Sequence, residues 1–228
     1  MNGTLIEKAM VAKGTGLFRF SVDEDVDFKA GQYFHIKFRD DLKHHFTVLN
    51  SPNEKRIISL ATRLRDSEFK TTLNTLPIGG HAEIYKIKGE FVLPEEITKP
   101  TVFIALGIGI TPYMSMLTYL KESGMPPMGI TLLYSDSDVA SMAFLTDLTK
   151  YETDTKGFKM ITTVTSDPTW EGENARIDEA FMKKYIPQPA AYLFYISGPP
   201  QAVESVSLAL GLLGVPKEQV KTENFTGY

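Results

Sequence analysis

The feature that most constrains this chain is a change of rhythm near residue 99. Before it, short runs rich in aromatic and β-branched residues follow one another at 5–12, 17–22, 33–38, 46–49, 57–63 and 82–87. That composition favours strands. Gly14-Thr15-Gly16 and Lys29-Ala30-Gly31-Gln32 punctuate them as turns. One helix interrupts the series. Asp66 and Ser67 are good N-caps, Phe69, Leu73 and Leu76 follow at helical spacing, and Pro77 with Gly79-Gly80 stops it. Six short antiparallel strands and one helix predict a small β-barrel.

After residue 99 strands and helices alternate. Residues 101–106 form a continuous apolar run, as in a strand buried on both faces. A glycine turn follows, then a helix over 112–122 with proline at its first position, where the missing N–H costs nothing. Strands at 130–134, 158–163 and 191–196 alternate with helices at 140–151, 178–185 and 201–213. This order predicts a doubly wound parallel α/β sheet. The seam falls in 93–100, so the expected domains are 1–97 and 98–228.

Composition bounds the chemistry. The 228 residues suit one large or two small domains. Acids outnumber bases, 28 to 24, so the chain lacks the broad basic footprint of a nucleic-acid binder. With no cysteine there are no disulfides, thiolate metal sites, cysteine-held iron–sulfur clusters or cysteine nucleophiles. No His, Asp and Glu cluster has metal-ligand spacing, and neither G-x-S-x-G nor a P-loop lysine is present. The start of the chain lacks a secretory h-region. The apolar run at 102–110 is shorter than the ~20 residues that span a bilayer. A soluble, cytoplasmic protein without membrane insertion is expected.

Four segments carry chemistry. Gly107-Ile108-Gly109-Ile110-Thr111-Pro112 follows a buried strand and opens a helix, where glycines admit close backbone approach and free N–H groups suit a pyrophosphate. Its G-x-G-x-x-P spacing differs from the usual dinucleotide fingerprint, and a plain βα turn also favours glycine. The second segment is His44-His45-Phe46-Thr47-Val48-Leu49-Asn50-Ser51-Pro52, the third Ser197-Gly198-Pro199-Pro200 at a strand end, and the fourth the terminus from Glu223 to Tyr228.

In this order, over essentially the whole chain, these segments resemble the ferredoxin–NADP reductase superfamily. The resemblance implies a flavin-binding barrel, a domain for NADH or NADPH, and a site in the cleft between them. The family motif R-x-Y-[ST] stands here as His44, Phe46 and Thr47, so an arginine at the FAD pyrophosphate becomes histidine and a tyrosine on the isoalloxazine becomes phenylalanine. His44 and His45 equally fit an ordinary strand pair. Thr47 matches the hydroxyl near flavin N5. Ser67, the N–H groups of Glu68 and Phe69, and Lys70 match the pyrophosphate-binding helix start, with Thr62 and Arg63 at the preceding strand end. Ser197 replaces the cysteine that the family places near nicotinamide C4, beside Gly198 and Pro199. Gly107, Gly109, Thr111 and Pro112 match the nucleotide turn. Glu223 matches the C-terminal acid and Tyr228 an aromatic covering the flavin.

Catalytic assignments implied by the resemblance are therefore Thr47, Ser197 and Glu223. Ser135 and Asp136 end the strand beside the adenosine ribose, where two aspartates and no nearby arginine favour NADH over NADPH. Asp136 serves equally as a cap of the next helix. The implied function is hydride transfer from NADH to FAD, then electron delivery to a separate soluble protein such as a ferredoxin, flavodoxin, cytochrome or oxygenase component. The alternatives are a FAD-holding subunit that needs a partner for turnover, and a flavin-free nucleotide-binding module.

Overall fold

The computed structural model describes residues 1–125 and 129–226. It divides into two compact units: Met1–Leu93 with Thr111–Met125, and the rest of the described chain.

The first unit holds β1 (Asn2–Ala12), β2 (Thr15–Val22), β3 (Tyr33–Arg39), β4 (Leu42–Thr47), β5 (Ile57–Arg63) and β6 (His81–Lys88), ordered β4-β3-β6-β1-β2-β5. All pairings are antiparallel. Strand alternation turns Phe18, Phe20, Phe34, Ile36, Ile58 and Leu60 into one core. Among the described residues no ladder joins the outer strands β4 and β5, yet the chain leaving β4 bridges them. The Leu49 N–H donates to the Ser59 carbonyl at 2.9 Å, and the Ser59 N–H donates to Asn50 Oδ1 at 2.8 Å. The sheet thus curls toward the expected barrel. The fourth strand ends at Thr47, earlier than the run at 46–49 suggested, because Val48 and Leu49 donate to Gln32 and Ser59 instead.

Helix α1 (Glu68–Thr75) starts where its sequence cap indicated: Ser67 Oγ accepts from the Lys70 N–H at 3.2 Å. Its other end is held by Lys8, whose Nζ donates to the Asn74 and Leu76 carbonyls, each at 2.9 Å. A lysine there also suits the negative end of the helix dipole. Helix α2 (Thr111–Glu122), assigned from sequence to the second half, packs within the first unit. Ser115 Oγ donates to the Asn50 carbonyl at 2.7 Å, and Tyr113 meets Phe91 edge-on at 6.0 Å. Gly31 permits this approach: at φ +98° a Cβ there would lie 2.1 Å from the Phe91 carbonyl oxygen and 2.5 Å from the Met116 methyl.

The second unit is a parallel sheet of β7 (Thr101–Leu106), β8 (Ile130–Asp136), β9 (Phe158–Val164), β10 (Leu193–Gly198) and β11 (Val220–Asn224), ordered β11-β10-β7-β8-β9. Every residue of the central β7 is buried, as its apolar run requires. Ile104, Phe194 and Ile196 share a core with Phe181 and Met182 of α4 (Glu179–Tyr185) and with Val203, Val206 and Leu210 of α5 (Pro200–Leu212). Ile161 of β9 faces that core. Phe158, three residues earlier, faces the other way and meets Tyr151 of α3 (Leu145–Asp154) edge-on at 5.0 Å. Helices therefore cover both faces.

Three features of this unit depart from the sequence expectation, the first being β10, expected over 191–196, which starts at Leu193 after a 3-10 turn at Pro189–Ala191 and runs to Gly198. The helix expected over 140–151 is a 3-10 turn, Val139–Ser141, followed by α3, with Phe144 at φ 61° breaking the run between them. The strand β11 is polar and at the sheet edge, so it left no apolar signal. No helix among the described residues is long and apolar enough to cross a membrane.

Candidate functional site

The chain runs β7, β8, β9 outward to one side, then returns to place β10 on the other side of β7. Where strand order reverses, the loops leaving the two strands diverge and leave a crevice at their C-terminal ends, the usual ligand position in such sheets. The loops there are the 3-10 turn Gly107–Ile110 after β7 and the Ser197–Gly198 end of β10. They are locked together. A Cβ on Gly109 would lie 2.1 Å from the Ser197 carbonyl oxygen, and one on Gly198, at φ +150°, would lie 2.6 Å from the Leu106 carbonyl oxygen. Ser197 Oγ donates to the Gly109 carbonyl at 2.6 Å. Gly107 sits at φ +60°, which only glycine adopts freely.

Beside this crevice, Glu223 lies opposite Ser197 in the β10–β11 register. Burial pushes its carboxyl pKa up. At the end of β8, Ser135 is half-buried and Asp136 is buried, with Asp136 Oδ1 accepting from the Ser137 N–H at 2.8 Å. The residue that caps the following turn is Asp138, not Asp136. Asp138 Oδ1 accepts from the Ser141 N–H at 2.9 Å, because its extended backbone sits one residue before the turn begins.

In the first unit β4 and α1 bring His44, Phe46, Phe69 and Lys70 together. The His44 ring stacks on Phe46 at 4.8 Å, and Phe69 meets both, at 5.5 and 5.7 Å. Lys70 is only 3% exposed. Burial lowers its amine pKa, and the positive charge of Arg65 lowers it further. Burial likewise lowers the His44 imidazole pKa, and the Lys70 charge adds to the effect. A backbone hydrogen bond between His44 Nδ1 and the His45 carbonyl, at 3.0 Å, opposes that shift. Lys70 and Arg65 thus raise a common positive potential beside the start of α1, and an anion would relieve it.

Residues 103–207 match the family described as "Oxidoreductase NAD-binding domain". The chain is 25% identical over 213 residues to a phenol hydroxylase P5 protein of Acinetobacter pittii, covering 91% of this chain and 60% of that protein. It is 24% identical to the anthranilate 1,2-dioxygenase electron transfer component of Acinetobacter baylyi, covering 95% and 64%. It therefore spans about three fifths of the length of such relatives. A ferredoxin NADP+ reductase from Neisseria gonorrhoeae, solved with FAD and NADP, superposes with a TM-score of 0.85 at 20% identity, covering 98% of each chain. Residues 103–207 thus resemble an oxidoreductase NAD-binding domain, and the chain has the two-domain fold of ferredoxin–NADP reductase structures.

Against the superfamily motifs the remaining residues fall as follows. Thr47 ends β4 opposite Tyr33 and is 8% exposed. Thr62 is buried, and Arg63 donates to Thr15 Oγ1 at 3.2 Å. Ser67 caps α1, and Glu68 is exposed in an ion pair with Arg39. Thr111 and Pro112 open α2, both buried, and Pro199 is the residue before α5. Tyr228 lies outside the described residues. Sequence reasoning missed the bond from Ser197 to Gly109 and the bridging role of Asn50, which joins β5 to α2. Asn50 lay within the quoted motif, but a small polar residue after a strand reads as a turn until its partners are known. Among the described residues no group of three His, Asp or Glu side chains could hold a metal.

Proposed function

We propose that the chain binds FAD on its first unit and NADH on its second, and carries electrons from NADH to a separate acceptor protein. The observation that carries this reading is the pair of glycine-bearing loops that meet at the strand-order reversal, inside the segment that matches the NAD-binding family. There the close approach of backbone and the N–H groups of the turn suit a pyrophosphate.

The donor set of the first unit fits a flavin diphosphate. Lys70, Arg65 and the Ser67-capped start of α1 supply positive charge and N–H donors, while Phe46 offers an aromatic surface and Thr47 a hydroxyl. When bound, the flavin supplies the conversion between two-electron hydride chemistry and one-electron transfer. The chain's own residues bind and orient. Lys70 holds charge in a dry setting, where its attraction for an anion is screened least. His44, neutral at pH 7, contributes ring surface rather than charge. Glu223, its carboxyl pKa raised, is suited to holding a proton near the strand ends. The relatives' names as oxygenase and hydroxylase components support a protein acceptor.

The purified chain should be yellow, should release FAD rather than FMN on heating, and should bleach with NADH. Ferricyanide should then restore the colour. A colourless protein that takes up no added FAD refutes the flavin half of the reading. Lys70→Met should weaken FAD binding by about tenfold or more, as loss of one charge-assisted contact predicts.

A further inference from the structure

Ser197 is fully buried on β10, between Ala105 of β7 and Glu223 of β11 in the ladder register. Its one hydroxyl proton is donated to the Gly109 carbonyl at 2.6 Å. We propose that Ser197 is a positioning residue: it acts through Gly109, holding the Gly107–Ile110 turn in the shape that receives the dinucleotide, and does not touch the reacting ring. The inference rests on the dinucleotide reading of the second unit.

Three observations support it. The side chain is enclosed, so contact with a bound ring would require the bond to break. Gly109 has no room for a side chain against the Ser197 carbonyl, and Gly198 has none against Leu106, so the two loops touch backbone to backbone. At such a crossing a side-chain bond to the turn's backbone fixes their mutual position. The acceptor is a buried carbonyl, and leaving it unbonded costs more than the average hydrogen bond contributes. A 3-10 turn has poorer hydrogen-bond geometry than an α-helix, so its shape depends on such outside support.

The test compares wild type with Ser197→Ala and Ser197→Cys. Binding of NAD+ is measured by calorimetry, NADH kinetics with ferricyanide as acceptor, and thermal unfolding. The expected result is NAD+ binding weakened about 5- to 30-fold in Ser197→Ala, from ~1–2 kcal/mol for the lost bond. The KM for NADH should rise in parallel, with kcat within about twofold. The cysteine variant, still a weak donor, should lie between. A fall in kcat with unchanged NAD+ affinity overturns the proposal, since it marks contact with the reacting ring. A lowered Tm with unchanged affinity and KM also overturns it, as a merely structural role. If Ser197→Ala does not fold, Ser197→Cys decides between the same outcomes. A wild type that binds no NAD+ overturns the dinucleotide reading and this inference together. A wild type that binds, with both variants its equal, overturns this inference alone.

Discussion

Two glycines show how differently one residue type is used. Gly109 is pressed against the Ser197 backbone, whereas a Cβ on Gly211, inside α5, would meet nothing within 4 Å. Gly109→Ala must push two strand ends apart and should destabilise the chain by about 1–3 kcal/mol, the range for overpacking. Gly211→Ala removes unfolded-state entropy in an unstrained helix and should stabilise it by about 0.4–1 kcal/mol. Urea denaturation of both variants checks the pair. Opposite signs are expected, and equal effects would show that the strand-end contact is soft.

At the scale of elements, the β3–β4 pair carries three histidines whose pKa values are all lowered from 6.5. Burial comes first in each case. The charges of His45 and Lys88 add to it at His35, that of Lys70 at His44, and those of His44 and Lys88 at His45. His35 and His45 face each other in register, with ring centroids 5.7 Å apart. Between the folded pKa and 6.5 the unfolded chain binds more protons, so stability is full above 6.5 and falls as pH drops through that value. The stabilised acids Asp40, Asp167 and Glu173 act below their ordinary 3.8 to 4.5, outside this window. The urea midpoint should therefore drop between pH 7.5 and 5.5, and the double variant His35→Gln with His45→Gln should flatten the drop. A midpoint that rises toward pH 5.5 would contradict the sign. The cap of α1 gives a second element-scale test. Ser67→Ala removes the acceptor for the Lys70 N–H and should cost about 1 kcal/mol in denaturant unfolding.

For the whole molecule, the proposed seat of the adenosine ribose at the end of β8 makes charge there the expected basis of choice between the two nicotinamide nucleotides. Asp136 and Asp138 flank Ser137, and no Lys or Arg follows until Lys150. A 2′-phosphate there meets carboxylates instead of a basic partner. NADH should be preferred by about tenfold or more in kcat/KM, the scale of one lost charge-assisted bond, and less at high salt. Ser137 is exposed and its Oγ donates to Asp138 Oδ2 at 3.2 Å, so Ser137→Arg should narrow the ratio while replacing that one contact to the capping carboxylate. Steady-state rates with both nucleotides decide it, and parity in the wild type would show that neither aspartate reaches the ribose.

What the chain's residues determine by themselves is the kind of most of its elements. The apolar run of β7, the alternation along β2 and the Ser67 cap are local signals, set by neighbours within a turn or two. The motif segments around Phe46, Gly109 and Ser197 were legible for the same reason, since glycine and aromatic spacing reflects short-range geometry. Tertiary structure alone decided the rest. That α2 joins the first unit depends on Ser115 meeting the Asn50 carbonyl, 65 residues away. That β11 is a strand depends on the free edge of β10, not on its own polar side chains. That Ser197 holds a turn instead of lying open depends on Gly109, 88 residues before it. A hydrogen bond or a close backbone contact between distant segments leaves no periodicity in the sequence, because its energy belongs to a pair that only the fold brings together.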